Sequence, residues 1–149
     1  MGSQRRQGSD SRCCTPDDVP YVWRDYVDPS NAKVIELQAW MDGLAPFARA
    51  IEEGEQLDLF EAAAHGQLED SGDETTPITP IVTDPEIFEL RRTALSKKLR
   101  FYHGEPAELP TQLVSVHRHI KDHNDTQQPE IEHAADRYNQ GRPSMWVPK

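Results

Sequence analysis

Between residues 86 and 121 lie three runs, EIFELRR, KKLRFYHG and QLVSVHRHIK, in which apolar and polar side chains alternate. Alternation with a period of two marks a strand with one buried face, and three such runs in close succession point to an antiparallel meander. GEPAELPTQ joins the last two as a hairpin loop. Because successive strand residues point to opposite sides, the faces can be separated without knowing the register. Ser115, His117, His119 and Lys121 fall on one face of the last run, and Val114, Val116, Arg118 and Ile120 on the other. Arg100 and Tyr102 oppose Leu99, Phe101 and His103; Glu89 and Arg91 oppose Phe88 and Leu90. With the apolar faces set against helices, the remaining face is expected to be open and to gather Arg91, Arg100, Tyr102, His117, His119 and Lys121, with Lys97 and Lys98 at a strand end.

Upstream, VPYVWRDYVD at residues 19 to 28 reads as a further strand, with Asp28 and Pro29 as cap and first residue of a helix. Val34, Leu37, Met41 and Leu44 form one helical stripe, and FARAIEEG and LDLFEAAAHG continue the helical pattern, giving two or three helices. QLEDSGDETTPITP, within an acidic linker at residues 67–84, reads as a mobile connector. PEIEHAADRYNQG reads as a C-terminal helix with Ile131, Ala134, Ala135 and Tyr138 on one face. The expected fold is α+β, an antiparallel sheet of about four strands packed on an N-terminal helical hairpin with a C-terminal helix. Residues 1–18 are expected to be a disordered tail, 19–142 one domain and 143–149 a second tail.

The formal charge of −10 is unevenly spread. Residues 1–84 hold six Lys or Arg against seventeen Asp or Glu, whereas residues 85–149 hold ten against nine together with five of the six histidines. A local basic surface can therefore exist on an acidic chain, so the balance does not exclude a phosphate-bearing partner. No run approaches the ~20 apolar residues of a spanning helix, and no apolar segment follows the first arginines, so a cytoplasmic protein without a membrane partner is expected. The cysteines, Cys13 and Cys14, are adjacent and read as free thiols in the tail.

RNA cleavage without a metal requires a group to accept the 2′-hydroxyl proton, cations for the phosphorus oxygens and an acid for the leaving oxygen. Histidine, tyrosine, lysine and arginine supply these roles, and tyrosine or histidine also stacks on unpaired bases. A different reading takes His117, His119 and His123 as ligands of a hydrolytic metal.

The segments PEIFELRR, KLRFYHG and LVSVHRHIKDHNDTQQPEIEHAADRY, spanning about residues 85 to 140, resemble the HigB-like, phage-derived branch of the RelE/ParE toxin superfamily of bacterial toxin-antitoxin systems. The resemblance rests on Glu89, Leu90 and Arg91 ending a first strand, Arg100, Phe101 and Tyr102 in a second, and His117 and Lys121 in a third. Pro129, Glu130, Ile131, Ala134 and Arg137 of the helix that follows complete it. It implies a toxin that cleaves mRNA, commonly at the ribosome, needs no cofactor, and is neutralised by a cognate antitoxin, expected to be a helix-turn-helix protein. It assigns phosphate or transition-state contacts to Arg91, Arg100 and Lys121, and proton transfer or base stacking to Tyr102, His117 and His119. Arg92, Lys97, Lys98 and Arg118 are further candidates for RNA binding. Asp122 stands where this family often has a second lysine. The alternative is a non-catalytic phage or mobile-element protein on the same scaffold, engaging an antitoxin or gyrase.

Overall fold

The computed structural model describes residues 10–122 and 127–148. Five strands, β1 (Val22–Asp25), β2 (Ile78–Thr83), β3 (Glu86–Ala94), β4 (Lys97–Gly104) and β5 (Gln112–Lys121), form one sheet in the order β1-β5-β4-β3-β2. The meander β2 to β5 is antiparallel, as its alternation requires, but β1 runs parallel to β5, so the sheet is mixed. The extra strand, β2, arises inside the segment read as a mobile connector. Its Pro80 is tolerated because β2 is an edge strand, where one backbone N–H is not needed by a neighbour. Ahead of it, Asp70 and Asp73 accept hydrogen bonds from backbone N–H groups and hydroxyls of residues 71 to 76, which orders the acidic run.

One face of the sheet carries the helical hairpin α1 (Ala32–Asp42) and α2 (Pro46–Ala64). Leu37, Met41 and Ala63 from the hairpin close over Phe88, Leu90, Leu99, Phe101 and Ile120. The cap of α1 is Asn31, whose side chain accepts from the N–H groups of Lys33 and Val34, whereas Asp28 closes a turn onto Ser30. Pro46 occupies the first turn of α2, where no N–H is required, and the helix runs unbroken through Gly54.

The second face is covered as well, contrary to the open face expected from the strand pattern. α3 (Gln128–Gly141) lays Ala134 and Tyr138 over Ile87, Tyr102, Val114 and Val116, and Tyr26 and Trp146 complete this smaller core. The C-terminal segment is thus partly packed: the Trp146 indole is buried and donates to the carbonyl of Tyr138. A bulge accounts for the filling of this face. Tyr102 pairs with His117 but His103 pairs with Ser115, so Val116 is extra and Val114, Val116, His117 and His119 all turn toward α3. Ser115 therefore lies on the opposite face from His117.

The N-terminal segment also departs from expectation. Residues Arg12–Cys14 form one 3-10 turn, and Ser11 and Cys13 are fully buried. Arg12 donates to the carbonyls of Pro106, Leu109 and Gln112, strapping this segment across the β4–β5 loop. Among the described residues no helix is long and apolar enough to cross a membrane.

Candidate functional site

The β3–β4 hairpin closes through Leu95 and Ser96, both with left-handed backbone (φ 49° and 71°), a two-residue turn that keeps the strands in strict register. That register sets Arg91 opposite Arg100, and the next pairing sets Lys98 opposite Lys121. All four point to the same side, so two like-charged cross-strand pairs are neighbours, an arrangement that costs stability unless a counter-charge is present. They line an open cleft of about 660 Å³, with Glu74, Thr75 and Thr76 of the acidic segment on its other wall. Glu89, wholly buried, is the internal counter-ion, 2.7 Å from Arg91 Nε and 3.7 Å from Arg100 Nε. Two carboxylates, Glu89 beneath the cleft and Glu74 at its wall, against four cations leave an excess of positive charge. Partial burial, then Arg100, Lys98 and Arg91, hold the Lys121 ammonium below its ordinary range, with Glu89 opposing. Burial, helped by Arg91 and opposed by Glu89, also lowers the Arg100 guanidinium. A dianionic or polyanionic ligand would relieve both strains.

Behind the cleft, roofed by α3, runs a buried polar layer. Gln127 donates to Glu89 (2.5 Å) and to the Tyr102 hydroxyl (2.9 Å), and that hydroxyl lies 3.0 Å from His119 Nε2. Burial lowers the His119 pKa, and burial with nearby Glu89 raises that of Tyr102. Tyr102, His117 and His119 stack within 6 Å of one another, centroid to centroid, with nearly parallel planes. His117 Nε2 pairs with Glu130 at 3.0 Å, yet burial wins over that partner and holds the imidazole down at about 4.

Of the residues singled out in the sequence, Arg91, Arg100, Lys98 and Lys121 come together in the cleft. Tyr102, His117 and His119 share its face but are no more than 1% exposed, which removes them from direct contact with a ligand in solution. Arg92 points the other way, where its guanidinium grips the buried Glu52 on α2 at 2.8 and 2.5 Å. Lys97 is exposed but also lies on the helical face, and Arg118 lies beside Leu37, Met41 and Phe101 under the hairpin. His123 falls outside the described residues, so the three-histidine metal reading has two of its members stacked in the core and the third undescribed. Thr75, Thr76 and Gln127 were not singled out from the sequence, and Glu89 was named there only as a strand and motif residue, without a role in the site. The Glu89-x-Arg91 spacing on one strand face was the available signal for the role of Glu89. No family model, no curated protein and no solved structure matches this chain.

Proposed function

We propose that the chain is a metal-independent endoribonuclease of the RelE/HigB-like toxin kind, cutting mRNA in a translation-dependent way and held in check by a cognate helix-turn-helix antitoxin. The observation that carries this reading is the cleft: two like-charged cross-strand pairs on one face, with a partly exposed Lys121 held below its usual pKa by partial burial and then by its cationic neighbours. Arg91 and Arg100 bind the non-bridging oxygens of the scissile phosphate, and bidentate guanidinium geometry suits them to it. The neutral fraction of Lys121 takes the proton of the 2′-hydroxyl, the O2′–P bond forms, and the P–O5′ bond breaks. Lys98, as an ammonium, supplies a proton to the departing 5′-oxygen. The products are a 2′,3′-cyclic phosphate and a 5′-hydroxyl, and both lysines recover their protonation from water. Tyr102 and His119 act through position, fixing Glu89 and hence the two arginines.

Expression without antitoxin is expected to arrest growth, and primer extension on cellular mRNA to reveal new 5′ ends. Lys121→Ala and Arg91→Ala abolish both, whereas Lys97→Ala and Arg118→Ala, outside the cleft, leave them intact. Undiminished translation in cells making folded, soluble protein would refute the reading. The burial of Tyr102, His117 and His119 favours one other reading, a non-catalytic protein whose cleft docks an antitoxin or gyrase. It predicts no new 5′ ends, with growth effects that survive Lys121→Arg.

A further inference from the structure

At the far end of β4, on the face opposite the basic cleft and roughly 17 Å along the strand from Lys98, three ligand-type atoms converge. Cys13 Sγ lies 3.5 Å from His103 Nε2, His103 Nε2 lies 2.8 Å from Glu105 Oε2, and Cys13 Sγ lies 3.9 Å from that same oxygen. In a tetrahedral zinc site with bonds of about 2.3 Å to sulfur, 2.05 Å to nitrogen and 2.1 Å to oxygen, the corresponding edges are about 3.6, 3.4 and 3.6 Å. Opening the nitrogen–oxygen edge by about 0.6 Å brings the triangle to that shape. We propose that Cys13, His103 and Glu105 form a zinc site that clasps the N-terminal segment to the end of β4, with water in the fourth position.

The surroundings are those of a built site. Cys13 and His103 are essentially unexposed and the Glu105 side chain is only 4% exposed. Trp23 meets the His103 ring edge-on and Phe88 stacks on it, so the imidazole is held between two aromatic rings. The carboxylate is already oriented, since the Ser11 hydroxyl donates to Oε2 and the Arg12 N–H donates to Oε1 at 2.8 Å. The sulfur is fixed from the backbone: the Cys13 N–H donates to Ser11 Oγ and its carbonyl accepts from Leu68 N–H, both at 2.9 Å. A single His103 Nε2 cannot serve both a thiol and a carboxylate well as a hydrogen-bond partner, whereas a metal ion bonds to all three at once. His103 Nδ1 is buried without a protein partner, which leaves it available to an ordered water as an outer-sphere donor. The mixed sulfur, nitrogen and carboxylate set selects zinc over harder cations.

The test uses the full chain, stripped with chelator and titrated with cobalt(II) and zinc(II) salts alone. One cobalt per chain, with thiolate-to-cobalt charge transfer in the near ultraviolet and intense tetrahedral bands in the visible, is expected, and zinc should bleach both. Zinc at a hundredfold excess over its Kd should raise the melting temperature by roughly 5–10 °C. Cys13→Ser should lose the charge-transfer band and the shift, while Cys14→Ser keeps them. Cobalt spectroscopy on the unmutated protein needs no variant to fold. Absence of bound metal, cobalt bound without the charge-transfer band, or a band lost only in Cys14→Ser would each overturn the assignment.

Discussion

Glu89→Gln separates stability from anion affinity in the basic cleft. The carboxylate is wholly buried and pairs with two arginines, of which the Arg91 side chain is 25% and the Arg100 side chain 9% exposed. Removing one partner of a fully buried pair costs about 3–5 kcal/mol. Arg91 can turn to water, so the loss falls below that range, at about 2–3 kcal/mol, carried by Arg100. For a domain of this size that is a fall in melting temperature of about 4–12 °C. Affinity moves the other way. A phosphate bound on the far side of the Arg91 guanidinium sits about 8 Å from the Glu89 carboxylate, and at an effective dielectric of about 20 their repulsion is about 2 kcal/mol. The variant should therefore bind a short single-stranded RNA about 30-fold more tightly at low salt, with the gain shrinking as salt rises. Fluorescence anisotropy gives the affinity and circular-dichroism melting the stability. A folded variant that binds no more tightly than the parent, or one whose melting temperature is unchanged, would refute the charge accounting.

Arg92→Ala strands Glu52, which is 4% exposed, and should lower stability by about 3 kcal/mol in urea unfolding while leaving RNA binding unchanged. Although burial opposes it, hydrogen bonds from Arg92 and Gln56 lower the Glu52 pKa from 4.5; its stabilisation is present above that value and lost as pH falls through the lower folded one, a dependence the variant should lack. His117 works at higher pH: with its folded pKa near 4 and an unfolded value near 6.5, the unfolded chain binds the extra proton. Unfolding free energies from urea titration should then fall between about pH 6.5 and 4, by up to about 1.4 kcal/mol per pH unit, and His117→Asn should flatten that slope. At the β3–β4 turn, Leu95→Asn with Ser96→Gly suits both left-handed positions and should add about 1–2 kcal/mol, or about 2–8 °C in a thermal melt.

β3, β4 and β5 are legible because their alternation is local, and Arg91, Arg100 and Lys121 fall on one face by the same count of two. What covers that face is not local. The apolar stripe of α3 can be read from Ala134 and Tyr138, but its docking over Tyr102 and His117 depends on the Val116 bulge, which no turn residue announces. β2 is hidden by Pro80, which argues against a strand unless the strand is known to be at an edge. Cys13 is buried by a partner ninety residues away, in a stretch with no periodicity of its own. Glu89 is visible as a strand residue, yet only the register makes it the counter-ion of two arginines.

The parallel pairing of β1 with β5 also sets the order in which the molecule can be made. Val22 lies opposite Gln112, and Arg12 bonds carbonyls of residues 106 to 112, so the first strand has no partner until the last one exists. Synthesis releases the N-terminal end first, and the local contacts of α1 and α2 form well before these distant ones. Until β5 is made, the nascent chain thus carries a β1 edge, Val22 to Asp25, without its strand partner. The cleft, which needs Lys121 beside Lys98, cannot form until β5 has been made.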